Sequence, residues 1–230
     1  MIPPITASSG SAVVDGTVDE RGTGQRTLVI DTATAACSVA LVEDGAVIAA
    51  AHVEVGRGHA ERLVPMIAAL PDGGRAGHIL VDVGPGSFTG IRVGIAAARG
   101  LAIGWGATVA GYSSLSALAA AHLAHADDGL PVVALLEGGH GEVFMQAFAP
   151  APLRATGPLE SLPPAAARTR IGATVAVGDG LRLLGEDPRT VPRGTLPRAV
   201  DALLLPDTLR QLSPKPLYGR APDAKLPQPR

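Results

Sequence analysis

The feature that most constrains the fold of this chain is a glycine-rich loop between a buried strand and a helix, in V-D-V-G-P-G-S-F-T-G-I-R-V-G at residues 81–94. Ile79 to Val83 predicts the end of a strand, and the G-P-G triplet after it predicts a tight turn. A helical pattern then runs from Thr89 to about Ile103. Ser87 or Thr89 can cap its first turn and leave backbone N–H groups facing outward, toward an anion.

The loop matches neither of the common nucleotide fingerprints. It has no G-x-x-x-x-G-K-[S/T] lysine and no G-x-G-x-x-G spacing. Two roles are therefore open for these residues: a phosphate site, or the well-capped start of a buried helix.

The stretch G-P-G-S-F-T-G-I-R-V-G from Gly84 to Gly94 resembles the signature of the TsaB (YeaZ) family. Members are partner proteins in bacterial tRNA threonylcarbamoyladenosine synthesis. The resemblance implies an α/β, actin-like and ribonuclease-H-like (ASKHA) fold of two lobes, with mixed sheets flanked by helices. It also implies a non-catalytic scaffold subunit for threonylcarbamoyl transfer to adenosine 37 of ANN-decoding tRNAs. The implied partners are a homologous catalytic subunit, TsaD-like, and an ATPase subunit, TsaE-like, with tRNA contacted only indirectly.

Composition agrees with a soluble partner protein. Of 230 residues, 47% are hydrophobic, which is enough for one globular unit or two small lobes. The net charge of −2 argues against a protein that grips nucleic acid by itself, because phosphate binding needs a concentrated positive surface. Cys37 is the single cysteine, which favours the reducing cytoplasm. No run approaches the roughly 20 apolar residues of a membrane span.

Four segments are predicted. Residues 1–25 are rich in Ser, Thr, Gly and Asp and predict a disordered extension that contributes little to folding. Residues 26–111 predict the first actin-like lobe and residues 112–214 a second, degenerate one. Residues 215–230 form a tail with several basic residues, in which Lys215–Tyr218 resembles the family's Pro-x-Tyr segment.

The first lobe shows the element order βββαβαβ, which is that of an actin-like unit. The predicted elements are strands Thr27–Asp31, Cys37–Glu43 and Ala46–Val55, helix His59–Leu70, the strand and helix around the glycine loop, and strand Thr108–Gly111.

The second lobe is less regular. Pro150 to Ala173 predicts a crossing loop with one short helix at most. The other predicted elements are a helix capped by Ser113 or Ser114 and running to about Ala126, strands Leu130–Leu136 and Glu142–Ala149, and a late helix Ala199–Leu212.

The resemblance also indicates where a vestigial nucleotide site would lie. Asp31-Thr32 ends the first strand, where actin-like ATPases surround phosphate and magnesium, but these residues are equally ordinary in a turn. We therefore expect Asp31 to be structural and this chain to hold no cofactor, with ATP or ADP confined to the interface of the complex. The candidate residues are Asp31, Thr32, Gly84, Gly86, Ser87, Gly178 and Gly180.

The second half of that site departs from the family. Where relatives read Asp-Ala-Arg and then Gly-Glu-Val-Tyr, this chain has Glu-Gly-Gly at residues 137–139 and Gly-Glu-Val-Phe at 141–144. The arginine and tyrosine are absent, so any ligand contact that they make in relatives is in doubt here.

The histidines argue against the metal site of the catalytic relatives. That site uses His-x-x-x-His on one helix, whereas His59 is followed by Leu63 at the second position. His122 and His125 have no nearby carboxylate or thiolate and are expected to be exposed helix residues. We expect no metal.

The predicted partner interface uses the first two helices. In the second helix, Gly90, Gly94 and Ala98 form a smooth stripe beside Ile91 and Ile95. This stripe either contacts a partner protein or packs on the sheet of its own chain. The first helix supplies His59, Arg62, Leu63 and Met66. The sequence leaves open whether the protein also forms a homodimer. The alternative function is an independent actin-like phosphotransferase or metal-dependent hydrolase.

Overall fold

The structure is a computed structural model that describes residues 25–126, 129–185 and 196–219. The predicted disordered extension, except Gln25, and the end of the tail from residue 220 lie outside the described residues. Within the described part of the chain, no helix has the length and apolar character needed to cross a membrane.

The first sheet has five strands in the order β3-β2-β1-β4-β5. Its three N-terminal strands form an antiparallel meander, and β4 and β5 then add in parallel to β1. The elements are β1 (Arg26–Asp31), β2 (Ala36–Glu43), β3 (Ala46–Glu54), α1 (His59–Ala68), β4 (His78–Asp82), α2 (Phe88–Trp105) and β5 (Thr108–Tyr112), with a 3-10 turn at Pro71–Gly74.

The second sheet repeats part of this plan. Its order is β10-β6-β7-β8, with β9 also paired to β7; β6 and β7 are antiparallel, and β10 runs parallel to β6. The elements are α3 (Ser114–Leu123), β6 (Val132–Glu137), β7 (Val143–Pro150), β8 (Leu153–Ala155), β9 (Glu160–Leu162), α4 (Pro164–Ile171) and β10 (Val175–Val177), with 3-10 helices Gly139–Gly141 and Asp179–Leu184. The predicted fold class, a two-lobed actin-like and ribonuclease-H-like α/β fold with mixed sheets flanked by helices, is confirmed.

Alternation along β1 builds the core on both faces of the first sheet. Leu28 and Ile30 face α1 and α2, while Val29 faces α3. Helix α3 lies between the sheets, because Ala117 packs on the first lobe and Leu118 on the second. This position explains why its sequence is small and apolar all round, since a helix buried on every side shows no polar face.

The C-terminal part of the chain corrects two predictions. The expected helix Ala199–Leu212 is two short 3-10 helices, Ala199–Leu204 and Asp207–Leu209. Pro206 stands between them and cannot donate a helical hydrogen bond. The region 150–173, expected to be irregular, contains β8, β9 and α4, whose strands extend the second sheet.

The boundary of the second lobe also differs from the prediction. Residues 199–204 pack against α3 and the first sheet, and Leu212 exchanges two backbone hydrogen bonds with Gly111 on β5. The Leu217 N–H then donates to Val83 O at 2.7 Å, and Gly219 lies against Phe144 of the second lobe. We call residues 212–219 the strap. It returns to the first lobe and touches both lobes.

Candidate functional site

Two carboxylates lie side by side where strands β1 and β4 end. These strands run parallel with Ile30 beside Val81, so Asp31 and Asp82 come next to each other in the same register. Both side chains are completely buried. Sequence inspection singled out Asp31 but missed Asp82, although an aspartate at the end of I-L-V-D, the next parallel strand, was an available signal.

Each carboxylate is tied to the protein through one oxygen. Asp82 Oδ1 accepts hydrogen bonds from Gly84 N at 2.7 Å and from Ser114 Oγ at 2.8 Å. Asp31 Oδ2 accepts one from the Tyr112 hydroxyl at 3.0 Å. The other two oxygens, Asp31 Oδ1 and Asp82 Oδ2, are buried without a hydrogen-bond donor among the described residues.

This environment favours protonation within the pair. Burial raises the pKa of Asp31 well above its usual value, and the charge of Asp82 adds to the effect. Burial likewise raises the pKa of Asp82, while the donors Gly84 N–H and Ser114 O–H oppose it. Burial and both carboxylates raise the pKa of Tyr112, which therefore remains a phenol donor. A buried, protonated carboxyl group is a poor ligand for magnesium.

The glycine loop seals this pair from the cleft between the lobes. Ser87 caps α2 by accepting from Gly90 N at 3.2 Å, as predicted, and its own N–H donates to Ala33 O at 2.6 Å. A Cβ atom at Gly86 would overlap the Ala33 carbonyl oxygen. The loop is therefore pressed against the chain that follows β1, in the place where a phosphate would need room.

The small-residue stripe of α2 corrects the predicted interface. A Cβ atom at Gly90 would overlap Thr32 O, and one at Gly94 would overlap Thr32 Oγ1, which itself donates to Gly90 O at 2.8 Å. The stripe thus packs on the sheet of its own chain, because only glycine allows the helix this close. Seven of the proposed interface residues are buried within the chain: His59, Leu63, Gly90, Ile91, Gly94, Ile95 and Ala98.

Two other interface candidates lie on α1. Arg62 is exposed and Met66 is half-buried, so both can reach a partner. His59 instead anchors the start of α1, since its Nε2 lies 2.9 Å from Thr34 O and 3.2 Å from Ala36 O.

The cleft between the lobes contains a small cavity of about 170 Å³. Its walls include Gly86 and Ser87 from the first lobe and Glu137 and Asp179 from the second. Asp179 Oδ1 accepts from Glu137 N at 3.0 Å, and burial raises the pKa of Asp179 to about 6. None of the described residues lining it is Lys or Arg.

A nucleotide does not fit these residues. The cavity is below the ~300 Å³ usual for ligand sites, and its carboxylates would repel phosphate. Gly178 and Gly180 pack directly against Leu135 and Leu136 of β6 and leave no space for a nucleotide beside them. Of the seven residues in the predicted vestigial site, only Gly86 and Ser87 line the cavity. Among the described residues, no group of three His, Cys, Asp or Glu side chains is placed to hold a metal ion.

The outer surface of α1 and α2 is more open. A cavity of about 490 Å³ lies between the starts of the two helices, where Arg57, Glu61 and Thr89 line it. Nearby, the Arg92 guanidinium lies 3.3 Å from the centre of the Phe88 ring and 5.4 Å from that of Tyr218.

Three large apolar side chains are exposed on these helices. Val64 on α1 is 58% exposed, and Phe88 and Ile103 on α2 are 65% and 87% exposed. Exposed apolar residues that form a continuous patch mark a surface for protein partners.

Part of the chain is similar in sequence to a transferase family. A family model described as TsaD, tRNA N6-adenosine threonylcarbamoyltransferase, matches residues 51–150.

Curated relatives point to the same pathway. The tRNA threonylcarbamoyladenosine biosynthesis protein TsaB of Escherichia coli K12 is 41% identical over 127 residues, which is 52% of this chain and 53% of that protein. The protein of the same name from Haemophilus influenzae is 39% identical over 126 residues, 51% of each chain. The chain thus spans about half the length of the curated relatives it matches.

Solved structures agree over a larger part of the chain. YeaZ from Pseudomonas aeruginosa has a TM-score of 0.70 at 26% identity, covering 84% of this chain and 99% of that one. A second protein, described as similar to the peptidase YeaZ from Pseudomonas aeruginosa, has a TM-score of 0.70 at 28% identity and is covered completely, with 85% of this chain.

Proposed function

Because the chain belongs to the TsaB (YeaZ) family, we propose that it takes part in tRNA threonylcarbamoyladenosine biosynthesis as a non-catalytic partner subunit. The pathway comes from the names of the Escherichia coli and Haemophilus influenzae relatives. The partner that we propose is a TsaD-like threonylcarbamoyltransferase, the family whose model matches residues 51–150. A TsaE-like ATPase completes the proposed complex, and its substrate is adenosine 37 of ANN-decoding tRNA.

The observation that carries the non-catalytic role is the sealed end of β1. Asp31, the residue best placed for actin-like phosphate chemistry, is completely buried and bonded to Tyr112. Catalysis requires a group that can reach its substrate. The structure therefore favours a subunit that supports chemistry elsewhere over an independent phosphotransferase or hydrolase, and we place any bound ATP or ADP at the interface of the complex.

The partner surface that we propose is the outer face of α1 and α2. It is apolar at Val64, Phe88 and Ile103, and Arg62 on α1 is also exposed. The inner faces of both helices pack on the first sheet, so the outer side chains stand on a rigid base. A preformed surface loses little conformational entropy on binding.

Lysine substitutions on this surface test the partner role. We expect Val64→Lys and Ile103→Lys each to weaken binding to the homologous transferase at least about tenfold, or ~1.4 kcal/mol, because buried apolar anchors dominate such interfaces. The unfolding temperature should change little, since both side chains are exposed. Calorimetric titration gives the affinity, and reconstituted tRNA modification gives the activity.

Val53→Lys is the matched control, because Val53 is also an exposed valine but lies on β3 at 46% exposure. It should bind and support modification like the unaltered chain. Wild-type affinity in both Val64→Lys and Ile103→Lys would contradict the surface. Tight magnesium-dependent ATP binding by the chain alone would instead favour the phosphotransferase or hydrolase.

A further inference from the structure

The two buried carboxylates each have one oxygen without a hydrogen-bond donor, and a proton on one of them would supply the missing hydrogen bond. Asp31 Oδ1 and Asp82 Oδ2 have no donor among the described residues, although both side chains are fully buried. Such a group costs folding free energy unless something donates to it. The parallel register of β1 and β4 places the two carboxyl groups next to each other, and a hydrogen bond with Asp31 lowers the pKa of Asp82.

The existing donors indicate which carboxyl group is neutral. Asp82 already accepts from Gly84 N–H and Ser114 O–H, two bonds that stabilise a carboxylate. Asp31 Oδ2 accepts from Tyr112, and a backbone hydrogen bond from Ala33 also acts on this carboxyl group. Its Oδ1 has no donor among the described residues and is therefore the atom able to carry hydrogen. An Asp31 Oδ1–H that donates to Asp82 Oδ2 satisfies both unpaired atoms at once.

We propose that Asp31 and Asp82 share one proton and that this proton is a pH-sensitive joint between the two lobes. Asp82 holds the glycine loop through Gly84 and the start of α3 through Ser114. Ser114 Oγ also lies 3.0 Å from Pro85 O, and its N–H donates to Gly84 O at 3.1 Å. Helix α3 leads directly into the second lobe. Loss of the proton therefore leaves two adjacent negative charges at the junction of the lobes, and these charges repel each other.

The neighbouring titratable groups do not supply a compensating positive charge. From β5, Tyr112 faces the pair; from β2, Cys37 does; and Asp201 acts from the 3-10 helix 199–204. Asp201 is itself near Arg198 and His52, whose charges act on it. The groups that face the pair are thus neutral or acidic.

The sign of the pH dependence follows from the raised pKa values. The pKa of Asp82 rises from 3.8 to about 7, and burial raises the pKa of Asp31 well above its usual value. A carboxyl group whose folded pKa exceeds its unfolded pKa favours folding while it is protonated. Its contribution is present below the unfolded pKa and is lost as the pH rises toward the folded one. Stability should therefore fall between about pH 4 and pH 7 as Asp82 ionises, and ionisation of Asp31 lowers it in the same direction.

Asparagine substitutions mimic the shared proton. In Asp31→Asn the side-chain amide donates permanently to Asp82, while Tyr112 still donates to the amide oxygen. We expect its unfolding temperature near pH 8 to exceed that of the unaltered chain by roughly 5–15 °C, with a flatter profile from about pH 5 to pH 9. Asp82→Asn should act in the same direction. Asp31→Ala, which leaves Tyr112 unpaired, should lower the unfolding temperature throughout.

Infrared spectroscopy gives a readout independent of stability. The unaltered chain near pH 7 should show the carbonyl band of a buried carboxylic acid, and Asp31→Asn should lose it. Absence of that band, or equal pH slopes in all variants, would overturn the proposal. So would an increase in unfolding temperature with Mg²⁺ or Mn²⁺ that Asp82→Asn abolishes, because it would identify the pair as a metal site.

Discussion

The two lobes place a pair of carboxylates at the same position and surround them differently. In the first lobe Asp31 ends the central strand β1, and Asp82 ends its parallel neighbour β4. In the second lobe Glu137 ends β6, and Asp179 follows the parallel neighbour β10. Each neighbour aspartate accepts a backbone N–H, from Gly84 or from Glu137. The first pair is fully buried, whereas Glu137 is exposed at the cleft.

The difference shows that the covering helix decides the chemistry of such a pair. In the first lobe α2 and the glycine loop exclude water, so two adjacent charges cannot both be solvated. In the second lobe the parallel neighbour β10 is followed only by the short 3-10 helix Asp179–Leu184, and Glu137 is exposed to water. The same topology thus yields a proton-sharing pair in one lobe and a partly solvated pair in the other.

The largest expected effect comes from breaking the seal over the first pair. Gly90→Ala brings a methyl group into the Thr32 carbonyl oxygen, which is backbone and cannot move aside. We expect a loss of about 3 kcal/mol or more in the free energy of unfolding, at the upper end for overpacking. Urea unfolding measures it. Gly100→Ala on the same helix has open space around it and should gain up to about 1 kcal/mol from helix propensity; equal losses would contradict the seal.

A smaller effect is expected from the open pair. In Asp179→Asn the side-chain oxygen still accepts from Glu137 N–H, but no charge remains to be buried. Since the folded pKa of Asp179 is raised to about 6, its stabilising contribution is lost as the pH rises from about 4 to 6.

The variant should therefore gain roughly 1–2 kcal/mol near pH 8 and almost nothing near pH 4, as thermal unfolding across that range can measure. Glu54→Gln, at an exposed carboxylate on β3, is the control and should leave the profile unchanged. A gain as large as that of Asp31→Asn would show that the two pairs are equally desolvated.

The smallest expected effect concerns the serines before α2 and α3. Ser87 Oγ accepts from Gly90 N and caps α2, so Ser87→Ala should cost about 1 kcal/mol. Ser113 precedes α3 in the corresponding place, but its buried hydroxyl makes no capping bond and has no partner among the described residues. Ser113→Ala should be close to neutral. Chemical unfolding of both variants checks the difference, and equal costs would show that Ser113 does cap α3.

Much of the fold was predictable because its signals are local. The G-P-G-S loop, the Asp44-Gly45 hairpin and the alternation along β1 each depend on residues a few positions apart. Pro206 was also a local signal against a single helix over 199–212.

The site was harder to predict because it depends on distant contacts. The stripe of Gly90, Gly94 and Ala98 has the same sequence pattern whether it faces a partner or a sheet, and the contact with Thr32 decides between them. Likewise, Asp31 and Asp82 are 51 positions apart, and only the parallel register brings them together.

The strap has a consequence for the order of assembly on the ribosome. The first sheet is complete once β5 has emerged at Tyr112, and domains generally fold as they are synthesised. Yet two residues of the first lobe bind the strap: Val83 contacts Leu217, and Gly111 contacts Leu212. Both strap residues emerge only after the whole second lobe. The first lobe is therefore translated first and completed last. In the nascent chain the edge of β5 lacks Leu212 and the Val83 carbonyl lacks Leu217 until the second lobe has been synthesised.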